Sequence, residues 1–231
     1  MSKVLFVMTG ADHLTLKDGT RHPTGYWAEE FLAPYRALTA AGHEISVATP
    51  GGVVPPIDKA SLAEQANGGA EGAAEVSAGI AAATELKDPL RLEDVDLSDY
   101  AAVFYPGGHG PMEDLSRDEG SAALVRDALA SGKPLGLVCH GLAALLPAAG
   151  TDGAWPFAGY RLTGFTDAEE NAAGLAGKMS WLLQERLVAL GAQFDEGTPW
   201  ASNVVVDRNL YTGQNPGSSA DLADALVKAL R

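Results

Sequence analysis

The stretch KPLGLVCHGLAALLPAAG, residues 133–150, joins a short apolar run to an alanine- and leucine-rich one through Cys139 and His140. PLGLV (134–138) reads as a buried strand and GLAALLPAAG as the helix that follows it. A strand that passes directly into a helix lifts its turn residue above the carboxyl edge of a parallel sheet, where open α/β folds bind their ligands. Cys139 occupies that turn. Gly136 stands three residues before it and Gly141 two after, so the spacing resembles a nucleophile elbow with the first glycine one place off the G-x-S-x-G pattern. N–H groups at a helix start favour thiolate over thiol, which predicts a lowered thiol pKa and a reactive Cys139. The competing reading is a cysteine that serves as a small buried hydrophobe.

Outward from this junction the same alternation recurs. KVLFVMT (3–9) is a β-branched and aromatic run ending at Thr-Gly, residues 25–41 have helical periodicity with Thr24 as cap and Gly42 as stop, and HEISVATP (43–50) is again a strand. YAAVFYP (100–106) forms a further buried strand, and LVRDALASG closes the helix before the 134–138 strand. Strand, helix and strand in this order predict a parallel sheet covered by helices. Residues 51–95 read as an insertion within a single domain spanning 1–231. PGGVVPPID is loop there, the glycines of ANGGAEGAA would interrupt a helix, and EVSAGIAAATELK suits one. The C-terminal part offers a helix at about 179–190, a hairpin in VVVDRNLYTGQNP turning at Asp207-Arg208-Asn209, and a closing helix in SSADLADALVKALR.

Composition narrows the function classes. With 16 basic against 30 acidic residues the formal charge is -14, so the average surface repels phosphate backbones and anionic lipid, and no nucleic-acid or membrane partner is expected. A single cysteine excludes an internal disulfide and a thiolate-rich zinc cluster and fits a reducing compartment. The apolar run in MSKVLFVMTGADH is too short for a signal peptide, and no segment reaches the ~20 apolar residues of a membrane span, so a cytoplasmic location is expected.

Two further elements carry candidate chemistry. FYPGGHGPMEDL (104–115) ends a strand in glycines whose N–H groups can converge on one point and, with the N–H after the nucleophile, form an oxyanion hole. A plain glycine turn is the simpler alternative, and no Gly-Lys-Ser/Thr follows to make it a phosphate loop. In GYWAEEFLAPYRAL (25–38), Trp27, Phe31, Pro34, Tyr35 and Leu38 share a helix face; Glu29 falls opposite and Glu30 at the border. Turned inward, Glu30 would have a raised pKa and could share a proton with a thiolate; turned outward, it is a solvated flank residue. The histidines at 13, 22, 43, 109 and 140 show no i, i+4 pair and no H-E-x-x-H pattern, so no zinc site is expected, and His13, His22 and His43 read as ordinary loop or strand-edge residues.

Taken together, GYWAEEFLAPY, DYAAVFYPGGHGPMEDL, KPLGLVCHG, LTGFTDAEE and LYTGQNPGSSADLADAL resemble the ThiJ/PfpI superfamily, in the branch of heat-shock chaperones with glyoxalase III activity. The resemblance implies a three-layer α/β sandwich, mostly parallel with helices on both faces, of the flavodoxin-like or class I glutamine amidotransferase-like type. It implies Cys139 as nucleophile, His140 as the histidine after it, Glu30 as the acid touching the sulfur and Glu170 as partner of the histidine, with Gly108 and the backbone of His140 as oxyanion hole. Thr166 with Glu169, or Asp167 with Glu170, also fits a capping box, so either glutamate can be structural. Glu113 stands where an aromatic residue often follows PGGHGPM in the family. A true glutamine amidotransferase takes its histidine from far downstream, and none follows His140 here.

The function implied is a cofactor-free glyoxalase acting on a small 2-oxoaldehyde, methylglyoxal to lactate, through a Cys139 hemithioacetal. The alternatives are a cysteine amidase or peptidase, and a holding chaperone or oxidation sensor. A homodimer is expected from the resemblance alone.

Overall fold

The computed structural model describes residues 2–150 and 153–231. Branched and aromatic side chains in KVLFV suit a pleated, doubly covered position and form strand β1 (Lys3–Val7). A small hairpin follows, β2 (His13–Thr15) and β3 (Arg21–Pro23), then helix α1 (Ala28–Ala40) and strand β4 (Glu44–Thr49). Helix α2 (Ala70–Ala82) and edge strand β5 (Leu90–Arg91) lead to β6 (Ala102–Tyr105), the short α3 (Gly110–Glu113), α4 (Glu119–Ser131) and β7 (Leu135–Val138). Beyond the cysteine come β8 (Arg161–Leu162), α5 (Asp167–Ala172), α6 (Leu183–Ala189), β9 (Gln193–Phe194), the hairpin β10 (Val204–Asp207) and β11 (Leu210–Gly213), and α7 (Ser219–Ala229).

Among the described residues the main sheet has seven strands in the order β10-β11-β7-β6-β1-β4-β5. All its pairings are parallel except β10 with β11. The period-two alternation of the strands splits the core in two. Val4, Phe6, Ala102 and Phe104 point toward α1 and α7, where they meet Phe31, Leu38, Leu222 and Leu226. Leu5, Val7, Val103 and Tyr105 point the other way, toward Val125 and Ala128 of α4 and Leu142 to Leu145 after the cysteine. The result is the three-layer α/β sandwich. After β1 the chain first adds β4 on one side and later β6 on the other, and this reversal opens a crevice at the carboxyl ends of the central strands.

Several elements depart from the sequence expectations. Helix α1 begins at Ala28 with Trp27 as its N-cap, and Thr24 is no cap: its hydroxyl donates to Asp58 Oδ2 at 2.7 Å. The glycines of 66–74 do not prevent a helix; α2 starts at Ala70 and carries Gly72 and Gly79, the latter because a Cβ there would stand 2.8 Å from Leu32 Cδ2 of α1. It ends at Ala82, so 83–87 is not helical in the α sense. The segment after the cysteine, Cys139–Ala148, is 3₁₀-helical rather than α-helical. Pro147 lacks an N–H to donate, and Cys139 itself lies at φ +58°, so a regular α-helical ladder cannot start or close there. The helix expected at 179–190 is confined to Leu183–Ala189, and the C-terminal hairpin turns where expected, with Arg208 at φ +57°.

Candidate active site

Three backbone segments meet at the carboxyl ends of β6 and β7. Cys139 holds its elbow at a left-handed φ of +58°, a conformation that costs a non-glycine residue about 1–2 kcal/mol. Gly141 lets the turn lie on β6, since a Cβ there would sit 2.4 Å from Tyr105 O. Gly108, at φ +87°, packs on the approach to α1, where a Cβ would sit 2.3 Å from Gly25 O. Trp27 N–H donates to Gly107 O at 3.1 Å and Gly110 N–H to Gly25 O at 3.2 Å, locking loop and helix entry together. Gly108→Ala is expected to destabilise the protein by about 2–5 kcal/mol through backbone clash and strain, read as a lower denaturant midpoint.

This framework brings Cys139, His140, Glu30 and Glu170 to one place. Cys139 Sγ is 3.3 Å from His140 Nδ1, and His140 Nε2 is 2.7 Å from Glu170 Oε2. Glu30, wholly buried in the first turn of α1, accepts the Gly107 N–H on Oε2 at 2.7 Å. Its other oxygen, Oε1, is buried without a hydrogen-bond partner. A carboxyl in that state is best accommodated protonated, and burial does push Glu30 up to about 8. Burial, helped by His109, pushes His140 down to about 4, so the imidazole is neutral at pH 7. Burial opposes the charge on Glu170, but the two imidazoles beside it prevail and hold the carboxyl well below the usual range. An ionised Glu170 only accepts, so Nε2 of His140 carries the proton and Nδ1 turns its lone pair toward the sulfur.

The lowered thiol pKa expected from the helix start does not hold. Burial raises the Cys139 thiol well above its ordinary value, and Glu30 adds to this; the N–H groups of His140 and Gly108 favour the thiolate but are outweighed. With 3₁₀ geometry after the cysteine, no long aligned helix dipole offsets the desolvation. With Glu30 already protonated, the acceptor placed for the thiol proton is the neutral His140 Nδ1, 3.3 Å from Sγ.

The raised Glu30 has a consequence for stability. In the unfolded chain it ionises near 4.5 and in the folded protein near 8, so between these pH values the native state holds the extra proton. Stability then falls as pH rises across that window, by up to about 1.4 kcal/mol per pH unit from this group, and the loss is complete above it. Glu30→Gln is expected to remove this slope; urea unfolding of both proteins from pH 5 to 9 checks it, and parallel curves would refute it.

The two adjacent glutamates divide their work. Glu169 closes a capping box with Thr166 and is wholly buried, its Oε1 accepting from Trp200 N–H at 2.8 Å and Asn215 Nδ2 at 2.8 Å. Glu170, one residue on, faces the histidine. Glu113 accepts from Thr15 N–H at 2.8 Å and Oγ1 at 3.1 Å, fixing β2.

Sequence reasoning passed over His109. Its Nε2 is 2.9 Å from Glu170 Oε1, and its ring lies 4.0 Å from that of His140, while Phe165 packs 4.4 Å from the His140 ring. The one available signal was its place within PGGHG, beside the expected oxyanion glycine. Ligand atoms of His109, His140 and Glu170 all lie within 4.8 Å of one another, as a metal would need. Each carboxylate oxygen is hydrogen-bonded to one imidazole. His109 also lines a cavity of about 760 Å³ with Thr24, Trp27, Ile57, Asp58 and Lys59. Residues 56–60 thus share this cavity with His109, docked through Tyr26 N–H to Pro56 O and Asp58 N–H to Tyr26 O, both 2.9 Å.

A flavodoxin-like sandwich with a cysteine on a strained elbow at the carboxyl edge of its sheet, facing a histidine and a buried glutamate, defines the class of α/β protein. A model of the DJ-1/PfpI family matches residues 24–229, and the chain belongs to that family. It is 31% identical over 236 residues to the protein/nucleic acid deglycase HchA of Pseudomonas aeruginosa, an alignment covering 99% of this chain and 80% of that protein. Glyoxalase III of Candida albicans superposes with a TM-score of 0.85 at 26% identity, covering 99% of this chain and 97% of the other. The rapid encystment protein of Francisella tularensis superposes with a TM-score of 0.87 at 29% identity over the full length of both chains.

Proposed function

We propose that the protein is an enzyme of reactive 2-oxoaldehydes that converts methylglyoxal and water to lactate without a bound cofactor. The observation that carries this reading is a sulfur placed against a neutral imidazole, with a protonated carboxyl and the N–H groups of Gly108 and His140 beside it. His140 Nδ1 takes the thiol proton as Sγ bonds to the aldehyde carbon, giving a hemithioacetal whose oxygen is received by the N–H groups of Gly108 and His140. His140 returns that proton to the hemithioacetal oxygen and, neutral again, removes the carbon-bound proton while Glu30 donates its proton to the keto oxygen, giving an enediol; delivery of the His140 proton to the neighbouring carbon and return of the other hydroxyl proton to Glu30 leave a lactoyl thioester. Water then cleaves the thioester, releasing lactate and restoring the thiol. The names of two relatives, a deglycase and a glyoxalase III, support carbonyl chemistry of this class.

A second reading has support from the cavity. The cavity of about 760 Å³ lies beside His109, and its volume exceeds what a three-carbon aldehyde fills and would hold the amino-acid side chain or base of an aldehyde adduct. The same attack by Cys139 on the adduct carbon would release the amine. A net charge of -14 disfavours a long phosphate backbone in this role. Among the described residues no helix is long and apolar enough to cross a membrane.

The test is lactate formation from methylglyoxal without added thiol, by wild type and Cys139→Ala, with a methylglyoxal-treated arginine peptide assayed in parallel. Lactate from wild type alone supports the leading reading. Amine release without lactate favours the adduct. Equal, slow consumption by both proteins would sink both.

A further inference from the structure

We propose that His109 is a positioning residue of this site, which holds one oxygen of Glu170 so that the other stays aimed at His140. The inference rests on the reading of Cys139 and His140 as nucleophile and base.

Glu170 sits on a helix of six residues, and a carboxylate held by one hydrogen bond can rotate and exchange its partner for water. Here both oxygens are taken, Oε2 by His140 at 2.7 Å and Oε1 by His109 at 2.9 Å. The side chains of His140 and Glu170 are 1% and 4% exposed and that of His109 is 13%, so His109 is the member of the trio that meets the cavity. It stands between the carboxylate and that cavity. Its own position is over-determined: Gly108 before it lies at φ +87° against Gly25, and at Gly110 after it a Cβ would stand 2.6 Å from Thr9 Cγ2. The ring contact of 4.0 Å with His140 further limits its rotation.

The consequence is a fixed tautomer. With Glu170 oriented by His109, His140 keeps its proton on Nε2 and its lone pair on Nδ1, the atom 3.3 Å from Sγ. Without His109, water from the cavity competes for the carboxylate, and the Nδ1–H tautomer of His140, which is useless as a base toward the thiol, becomes populated.

The experiment compares wild type with His109→Phe and His109→Ala, which lose the donor, and with His109→Gln, which restores an N–H toward Glu170. kcat and KM are measured with methylglyoxal, and the ¹⁵N resonances of the His140 ring are recorded on labelled protein. Loss of a hydrogen bond to a charged group is expected to lower kcat about tenfold in the donor-less variants. KM should stay within about twofold, with His109→Gln recovering most of kcat. The ring spectrum should move from a single Nε2–H form to a mixture, and return in His109→Gln. Unchanged kcat, a rise confined to KM, or a folded His109→Gln as slow as His109→Phe would each overturn the proposal. If wild type does not turn over methylglyoxal, the proposed function fails and the spectra decide this inference alone: an unaltered His140 tautomer in both donor-less variants overturns it, and a mixture supports it.

Discussion

Replacement of Cys139 by alanine is expected to lower methylglyoxal turnover on the order of 10⁴-fold or more while leaving the fold intact. The sulfur makes the only covalent bond to substrate in the proposed sequence, and the chain has no second cysteine to take its place. The neighbouring groups cannot compensate, since a neutral His140 and a protonated Glu30 act on a proton that the sulfur has to supply or a carbon it has to hold. Stability provides an internal control. Alanine at position 139 inherits the φ of +58°, whereas glycine adopts it freely, so Cys139→Gly should be more stable than Cys139→Ala by about 1 kcal/mol and equally inactive. Lactate production together with urea unfolding checks both halves. Turnover by Cys139→Ala above about one per cent of wild type would mean that the chemistry does not run through the sulfur.

Glu170→Gln is expected to cost about 10²–10⁴-fold in kcat, the range associated with loss of a competent general base. The reason lies in hydrogen-bond parity. A carboxylate offers an acceptor to each of two imidazoles, 2.7 Å and 2.9 Å away, whereas an amide offers one acceptor and one donor. One histidine is then forced into the opposite tautomer. When it is His140, a proton replaces the lone pair facing Sγ and the base is lost. The ¹⁵N spectrum of the His140 ring shows which histidine yields, and a fully active Glu170→Gln would remove Glu170 from the mechanism. Glu169 lacks this role because its oxygens are spent on the Thr166 capping box and on the main chain at Trp200.

How far the site was legible depends on the range of the interactions involved. Cys139 announced itself because strand, glycine and apolar periodicity are local signals, and those same signals place it at the sheet edge. Glu30 stood at the border of an apolar face in the sequence, and only packing decided that it turns inward, to the Gly107 N–H. The ambiguity between Glu169 and Glu170 could not be resolved from sequence, since a capping box fits either register. Folding resolves it by giving Glu169 the buried donors of Trp200 and Asn215. His109 was invisible as a partner of Glu170, which lies 61 residues away along the chain.

Where local reasoning failed, a tertiary or steric cost had outweighed propensity. The glycines of 66–74 did not break α2, because Gly68 and Gly69 lie before its first residue and, further along, Gly79 lets Leu32 of α1 come close, so packing replaced the propensity that was missing. The alanine-leucine run after Cys139 did not become an α-helix, because its backbone had to leave the elbow at a left-handed residue and lie on β6. The thiol pKa went the opposite way from the helix-start argument because desolvation in a buried site exceeds what two N–H groups return.

By itself the sequence determined the α/β layering and the place of Cys139 and His140 at the sheet edge, since hydrophobic period and glycine placement act over a few residues. The tertiary structure alone decided the protonation pattern: a neutral His140, a protonated Glu30 and an ionised Glu170 shared with His109. Charge states in a buried cluster are set by which groups are desolvated together and which oxygen meets which proton, and those juxtapositions exist only once distant segments have packed.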